Sequence, residues 1–302
     1  MRLAEGTRDE NEVWHPADPS VYTPMDVHGA LPWSVLRQDS REWQERKRWW
    51  TERGVDDIAP RAQAGGMISS GRHGNISGGV SKFDPHLAEV LLEWFAPKGG
   101  RVLDPFAGGP VRGLVATDLG YQYTGIDLMP EQVAANRARA AAWGVDPRWV
   151  EGDALTELDA LGDGFDFVLS CPPYHNRERY SDDPRDLSAM RWPAFLETYR
   201  AIIGKTVDAL ADDRFIAWVT SDVRDSKGHL RSLPAHTVTA FEDAGAHLTN
   251  EFILVGAAGL GAKAMRPPWE AARTTRRRHQ IVHVFVKGDR RKATERVKNA
   301  DR

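Results

Sequence analysis

The chain has 302 residues, 41% apolar and 27% charged, which suits one large core or one domain with appendages. Its single cysteine, Cys171, excludes a disulfide framework and a zinc-ligand cluster and fits a reducing compartment. The formal net charge of −3 divides unevenly: Lys and Arg against Asp and Glu number 10 to 12 in residues 1–80, 17 to 27 in 81–260 and 13 to 4 in 261–302. An acidic body with a basic end anchored beside an apolar run, "RTTRRRH" (273–279), favours a polyanionic partner. The opening residues lack the apolar core of a signal peptide, and no run is long enough to cross a bilayer, so the expected location is the cytoplasm.

In chain order, residues 1–33 are polar and dotted with proline and read as irregular. "DSREWQERKRWWTERG" (39–54) reads as a helix capped by Asp39, with Glu42 three residues on and Gly54 as its stop. Trp43 and Trp50 lie two turns apart on one face, so this helix is expected to dock, against the protein's own core in preference to a partner surface. Residues 65–79 hold six glycines and read as a linker, which makes 1–80 an N-terminal extension. A domain over 81–289 and a basic tail over 290–302 complete the expected organisation.

After residue 80, short apolar runs alternate with helical patterns. Strands are expected at 101–105, 123–127, 149–153, 165–173, 214–222, 247–256 and 280–288, with helices at 84–96 and 130–144 among those between them. Strand–helix alternation argues a doubly wound α/β fold, a seven-stranded and mostly parallel sheet. No helical pattern separates the last two strands, which predicts an antiparallel hairpin at the sheet edge.

The first strand runs into "LDPFAGGPVRGLVATDLG" (103–120), a glycine-rich turn that lets backbone approach a nucleotide ligand. Asp104 before the turn would repel a pyrophosphate and attract an ammonium group; Pro105, Phe106 and Gly108 form the turn itself. Asp127 ends the second strand, nineteen residues past Gly108, where a carboxylate accepts from both ribose hydroxyls, with Met129 beside it. Asp153 ends the third, placed to accept from an adenine amino group, and Ala154 offers a backbone amide. Each aspartate could equally be a helix cap. Three in order at one sheet edge suit a ribose, an adenine and an amino-acid ammonium without phosphate, which describes S-adenosylmethionine.

The fourth strand ends in "SCPPY" (170–174), a rigid segment tipped by an aromatic ring. With "LDPFAGG", "GID" and "GDA" before it, this string resembles the DNA amino-methyltransferases that modify adenine N6 or cytosine N4. The resemblance spans roughly residues 33–294 and extends to DNA-methylase-like proteins of bacteriophages and actinobacteria. It implies a Rossmann-like class I methyltransferase fold and S-adenosylmethionine as cofactor, with Ser81, Lys82 and Phe83 of "SKFDPHLAEVL" at the methionine end. It also implies DNA as the partner, a base flipped from the duplex, and Cys171, Pro172, Pro173 and Tyr174 as the catalytic segment. The Pro172 carbonyl would accept from the target amine and Tyr174 would stack on the base.

That family usually carries Asp, Asn or Ser where this chain has Cys171, a weak acceptor. Three readings stand: Cys171 fills space beside the Pro172 carbonyl, Cys171 is a nucleophile for methylation of a ring carbon, or base methylation has been lost. In the following loop Tyr180 or Asp183 is expected to border the target pocket, and Asp222 is a further candidate. The segment 257–279, with Arg276, Arg277 and Arg278, is expected to contact nucleic acid. The same scaffold serves RNA and protein methyltransferases, and a DNA-binding module without methyl transfer is a third reading.

Overall fold

The computed structural model describes residues 6–8, 14–16, 26–55, 82–175, 180–256 and 262–299. Two short strands, β1 (Gly6–Arg8) and β2 (Trp14–Pro16), pair with each other. All other strands among the described residues form one sheet of eight: β3 (Val35–Arg37), β4 (Arg101–Asp104), β5 (Gln122–Asp127), β6 (Arg148–Glu151), β7 (Phe165–Ser170), β8 (Leu210–Thr220), β9 (Ala246–Val255) and β10 (His279–Lys287). Their order is β3-β9-β10-β8-β7-β4-β5-β6, and only β10 runs against its neighbours. This is the expected Rossmann-like, mostly parallel α/β sheet with an antiparallel edge, with eight strands rather than seven. The additional strand, β3, comes from the N-terminal extension and takes the outermost place beside β9.

The connection between β9 and β10 also departs from the expected simple hairpin. It contains a helix, Ala262–Ala272, that includes Pro267 and Pro268. The strand read as 165–173 stops at Ser170, because two consecutive prolines offer no amide to a neighbouring strand.

Helices cover both faces of the sheet. Numbered along the chain, α1 is Arg41–Glu52, α2 Pro85–Phe95, α3 Val111–Asp118, α4 Pro130–Trp143, α5 Ala154–Leu161, α6 Trp192–Ala209, α7 Leu233–Asp243, α8 Ala262–Ala272 and α9 Arg290–Asn299. One apolar cluster joins α1, α2, α3, α4 and α9 to one face of the sheet; a second joins α5, α6 and α7 to the other. The end of the chain read as a tail is therefore helical over 290–299 and contributes the buried Ala293. No helix among the described residues is long and apolar enough to cross a membrane.

The cap of α1 is Ser40 rather than Asp39; the Ser40 side chain accepts from the Trp43 amide. As expected, Trp43 and Trp50 are buried in the core. Around them lies a charged cluster. Glu89, 2% exposed, takes hydrogen bonds from Arg46 Nε (2.9 Å), Trp50 Nε1 (3.0 Å) and His86 Nδ1 (3.0 Å). Burial alone would raise the Glu89 pKa, but the bonds from Arg46, His86 and Trp50 hold it down at about 2. The N-terminal segment is thus tied to α2 by a paired charge as well as by apolar area.

A second buried ionisable group lies in mid-sheet. His283 on β10 is 1% exposed, neither ring nitrogen has a hydrogen-bond partner, and burial pulls its pKa down to about 4. The half-exposed Glu251 approaches it only to 3.6 Å. Between pH 6.5 and 4 the unfolded chain takes up a proton that the folded chain refuses, so stability is complete above that window and falls as pH drops through it. Folding free energy measured against pH should lose about 3 kcal/mol across the window, at 1.36 kcal/mol per pKa unit. His283→Leu should flatten that slope, and an unchanged slope would remove His283 from the account.

Candidate functional site

The buried carboxylate of Asp104 organises the carboxyl edge of the sheet. Its Oδ1 accepts from Ser170 Oγ (2.6 Å) and the Phe106 amide (3.1 Å); its Oδ2 accepts from Arg112 Nε (2.6 Å) and Tyr123 Oη (2.8 Å). One side chain thereby links the ends of β4 and β7 to the starts of β5 and α3. Arg112 also donates to the carbonyls of Phe106 (2.6 Å) and Ala107 (3.0 Å), closing the turn from inside. Burial works against the charge on Arg112, but Asp104 beside it outweighs this and raises the pKa. Burial and Asp104 both push the Tyr123 phenol up, which keeps it a donor.

This geometry corrects the expectation for Asp104. Its carboxylate is fully buried, satisfied from within the protein and absent from the cleft lining, so it holds the site together instead of facing an ammonium. The sequence also contains no local sign of this role, since the four donors come from 2, 8, 19 and 66 residues away.

The turn that Asp104 supports is closed by the next strand. Gly108, at φ +57°, donates its amide to Asp127 Oδ2 at 2.8 Å, and the Met129 amide donates to Asp127 Oδ1 at 2.9 Å. The nineteen-residue spacing seen in the sequence is therefore a direct contact. Gly125 leaves room for the Tyr123 ring and the turn: a Cβ there would lie 2.6 Å from Tyr123 Oη and 2.8 Å from Ala107 Cβ.

A cleft of about 250 Å³ follows this edge. Asp153 and Ala154 line it beyond β6, Asp127 and Met129 beyond β5, and Pro105, Phe106 and Gly108 beyond β4. Cys171, Pro172, Pro173 and Tyr174 line it beyond β7, and Lys82 and Phe83 from the segment leading into α2. Ser81 lies outside the described residues. Asp153 is also the cap of α5, accepting from the Leu155 amide at 2.9 Å, so its ligand and cap readings coexist.

Of the loop candidates, Tyr180 lines the cleft while Asp183 does not; Asp183 pairs with Arg185 at 2.7 Å. Asp222 is also outside the lining. It accepts from the Val223 amide (2.8 Å) and the Leu233 amide (3.3 Å) and faces Arg277 at 3.5 Å. Arg277 is accordingly turned inward, whereas Arg276 and Arg278 are exposed, so the three arginines do not form one outward face.

Sequence reasoning missed Gln38, Lys47, Asp84 and Gln280, all of which line the cleft. Gln280 Nε2 donates to Tyr174 Oη at 2.8 Å, and Tyr174 Oη lies 3.1 Å from Cys171 Sγ. The proline-rich segment is thus held at its tip by β10. Position 280 opens a predicted strand directly after the basic cluster, but nothing local says that it reaches residue 174.

No family model matches the sequence, and no curated protein matches it. Solved structures similar in fold include TrmN from Thermus thermophilus, 21% identical with a TM-score of 0.47, covering 68% of this chain and 49% of that one. A TehB-like SAM-dependent methyltransferase from Corynebacterium glutamicum is 17% identical with a TM-score of 0.43, covering 81% of this chain and 96% of that one. The [4+2]-cyclase SpnF is 16% identical with a TM-score of 0.49, covering 68% and 82%. The chain spans about half the length of TrmN. The strand order and strand directions of this chain are those of a Rossmann-like α/β fold.

Asp104→Asn would leave Arg112 buried beside a neutral amide. Urea denaturation should show a loss of about 3–5 kcal/mol, the scale for breaking a buried pair. A variant as stable as the parent, with only weaker ligand binding, would return Asp104 to the role of a ligand contact.

Proposed function

We propose that the protein transfers a methyl group from S-adenosylmethionine to an exocyclic amino group of a base in DNA, adenine N6 or cytosine N4. The observation that carries this reading is that Asp127, Asp153 and the Cys171–Tyr174 segment line one continuous cleft. A nucleoside site and a proline-held carbonyl acceptor therefore adjoin, as methyl transfer to a base requires.

The residues present fit the cofactor. The Gly108 amide is committed to Asp127, so the glycine turn does not offer it to a phosphate. The carboxylates of Asp127 and Asp153 on the cleft wall would repel a pyrophosphate and accept from ribose hydroxyls and an adenine amine. Phe83, Phe106 and Met129 supply apolar surface around them. S-adenosylmethionine supplies the methyl group on a sulfonium centre; the chain's own residues do the rest.

Those residues act on the amine. Its lone pair is delocalised into the base, and an acceptor aimed at its hydrogens favours the nucleophilic form and stabilises the positive charge that develops on nitrogen. The Pro172 carbonyl is that acceptor, held in place by two proline rings and by the bond from Ser170 to Asp104. The Tyr174 ring is the stacking surface, with its hydroxyl steadied by Gln280. Cys171 packs partly buried against the core with its sulfur beside Tyr174 Oη, which favours a space-filling role over a nucleophilic one. Exposed Arg276 and Arg278 on the segment entering β10 are the phosphate contacts.

Transfer of tritiated methyl groups to duplex DNA, RNA and protein in parallel tests the substrate. Label should enter DNA alone; label in RNA or protein overturns the DNA reading, and binding of DNA without transfer supports a binding module. Asp127→Ala should weaken S-adenosylmethionine binding by about 1.5–3 kcal/mol, the scale for hydrogen bonds to a charged group. Replacing Arg276 and Arg278 with glutamine should flatten the salt dependence of DNA affinity and leave cofactor affinity as it was. Cys171→Ser should retain transfer, because a hydroxyl accepts at least as well as a thiol; an inactive, folded serine variant would make Cys171 the nucleophile.

A further inference from the structure

Helix α1 stands outside the strand–helix core, yet Lys47 on it lines the cleft together with Gln38 from the end of β3. Both side chains meet on Asp84. Its Oδ2 accepts from Gln38 Nε2 (3.0 Å) and Trp43 Nε1 (3.2 Å) and faces Lys47 Nζ at 3.1 Å. Its Oδ1 caps α2 through the amides of His86 (3.0 Å) and Leu87 (3.3 Å). Asp84 is buried, whereas the Lys47 side chain keeps 41% of its surface exposed.

Charged groups line the cleft along its length, Arg185 and Asp186 among them. Asp153 and Asp127 mark the end beyond β6 and β5, at one border of the sheet. Gln38 follows β3, the opposite border, and Lys47 and Lys82 bring two ammonium groups to that side. The one carboxylate among them, Asp84, is already engaged by five donors, and an ammonium has three N–H groups, of which Asp84 occupies one direction. Lys47, with N–H groups beyond the one facing Asp84, can donate to an anion in the cleft.

We propose that Lys47 binds the carboxylate at the methionine end of S-adenosylmethionine, so that the N-terminal helix is part of the cofactor site. The inference rests on the cofactor reading above and adds a residue that the methyltransferase core alone would lack. Asp84 is then a positioning residue: it holds Lys47, Gln38 and Trp43 to the start of α2, and transmits the docking of α1 to the ligand.

Titration calorimetry of the full chain with S-adenosylmethionine, its decarboxylated analogue and 5′-methylthioadenosine tests it. The parent should prefer S-adenosylmethionine to the decarboxylated analogue. Lys47→Met should weaken S-adenosylmethionine by about tenfold or more, as for loss of a charged hydrogen bond. Binding of the two ligands without a carboxylate should not change, and Lys47→Arg should restore the preference. Lys47→Gln is a second neutral variant should methionine disturb the Asp84 cluster. Equal weakening of all three ligands means a structural role, and loss of the preference in Lys82→Met alone assigns the carboxylate to Lys82; either overturns the proposal. If the parent binds S-adenosylmethionine and discriminates but the Lys47 variants do so equally, this inference fails and the cofactor reading stands. If the parent binds none of the three, the cofactor reading itself fails.

Discussion

The site depends on one buried ion pair, Asp104 with Arg112. Strands β4, β5 and β7 each end at the same edge, but ends of strands fray unless something joins them. Asp104 joins the ends of β4 and β7 through Ser170 and the turn at Phe106 and takes the Tyr123 hydroxyl from β5, and Arg112 neutralises it while bracing the turn's carbonyls. A buried carboxylate is costly by itself and tolerable when every lone pair has a donor. Because Ser170 immediately precedes Cys171, this pair also sets the position from which the proline-rich segment departs.

From that anchor the two halves of the cleft follow. On one side Asp127 receives the Gly108 and Met129 amides, which fixes the glycine turn and spends the amide a phosphate ligand would need. On the other, two prolines remove backbone freedom, and Gln280 ties Tyr174 to β10. Rigidity at both places serves the proposed chemistry, in which an acceptor must already point where charge develops. The second buried cluster, Glu89 with Arg46, His86 and Trp50, extends the same logic to the N-terminal segment and carries α1 to the cleft wall.

Much of the fold was legible. Strands such as Phe165–Ser170 and Leu210–Thr220 contain runs buried on both faces, so their apolar continuity shows in the sequence. Strand β3 was not, because only Leu36 of its three residues is buried and no alternation develops. The helix at 262–272 was hidden by Pro267 and Pro268, which argue against a helix in any local reading. Of the site, the order of acidic strand ends and the "CPPY" segment were visible because chemistry concentrates at successive turns. The true office of Asp104, and the presence of Gln38, Lys47 and Gln280, depend on contacts between segments 8 to 106 residues apart, which no local pattern encodes.

The central claim is that this cleft delivers a methyl group to an exocyclic amine of a flipped base. Mass spectrometry of nucleosides released from DNA incubated with the protein and S-adenosylmethionine tests it most directly. The account predicts N6-methyladenine or N4-methylcytosine, lost in Tyr174→Ala. A methyl group on a ring carbon, or DNA left unmodified by a folded, cofactor-binding protein, would contradict it.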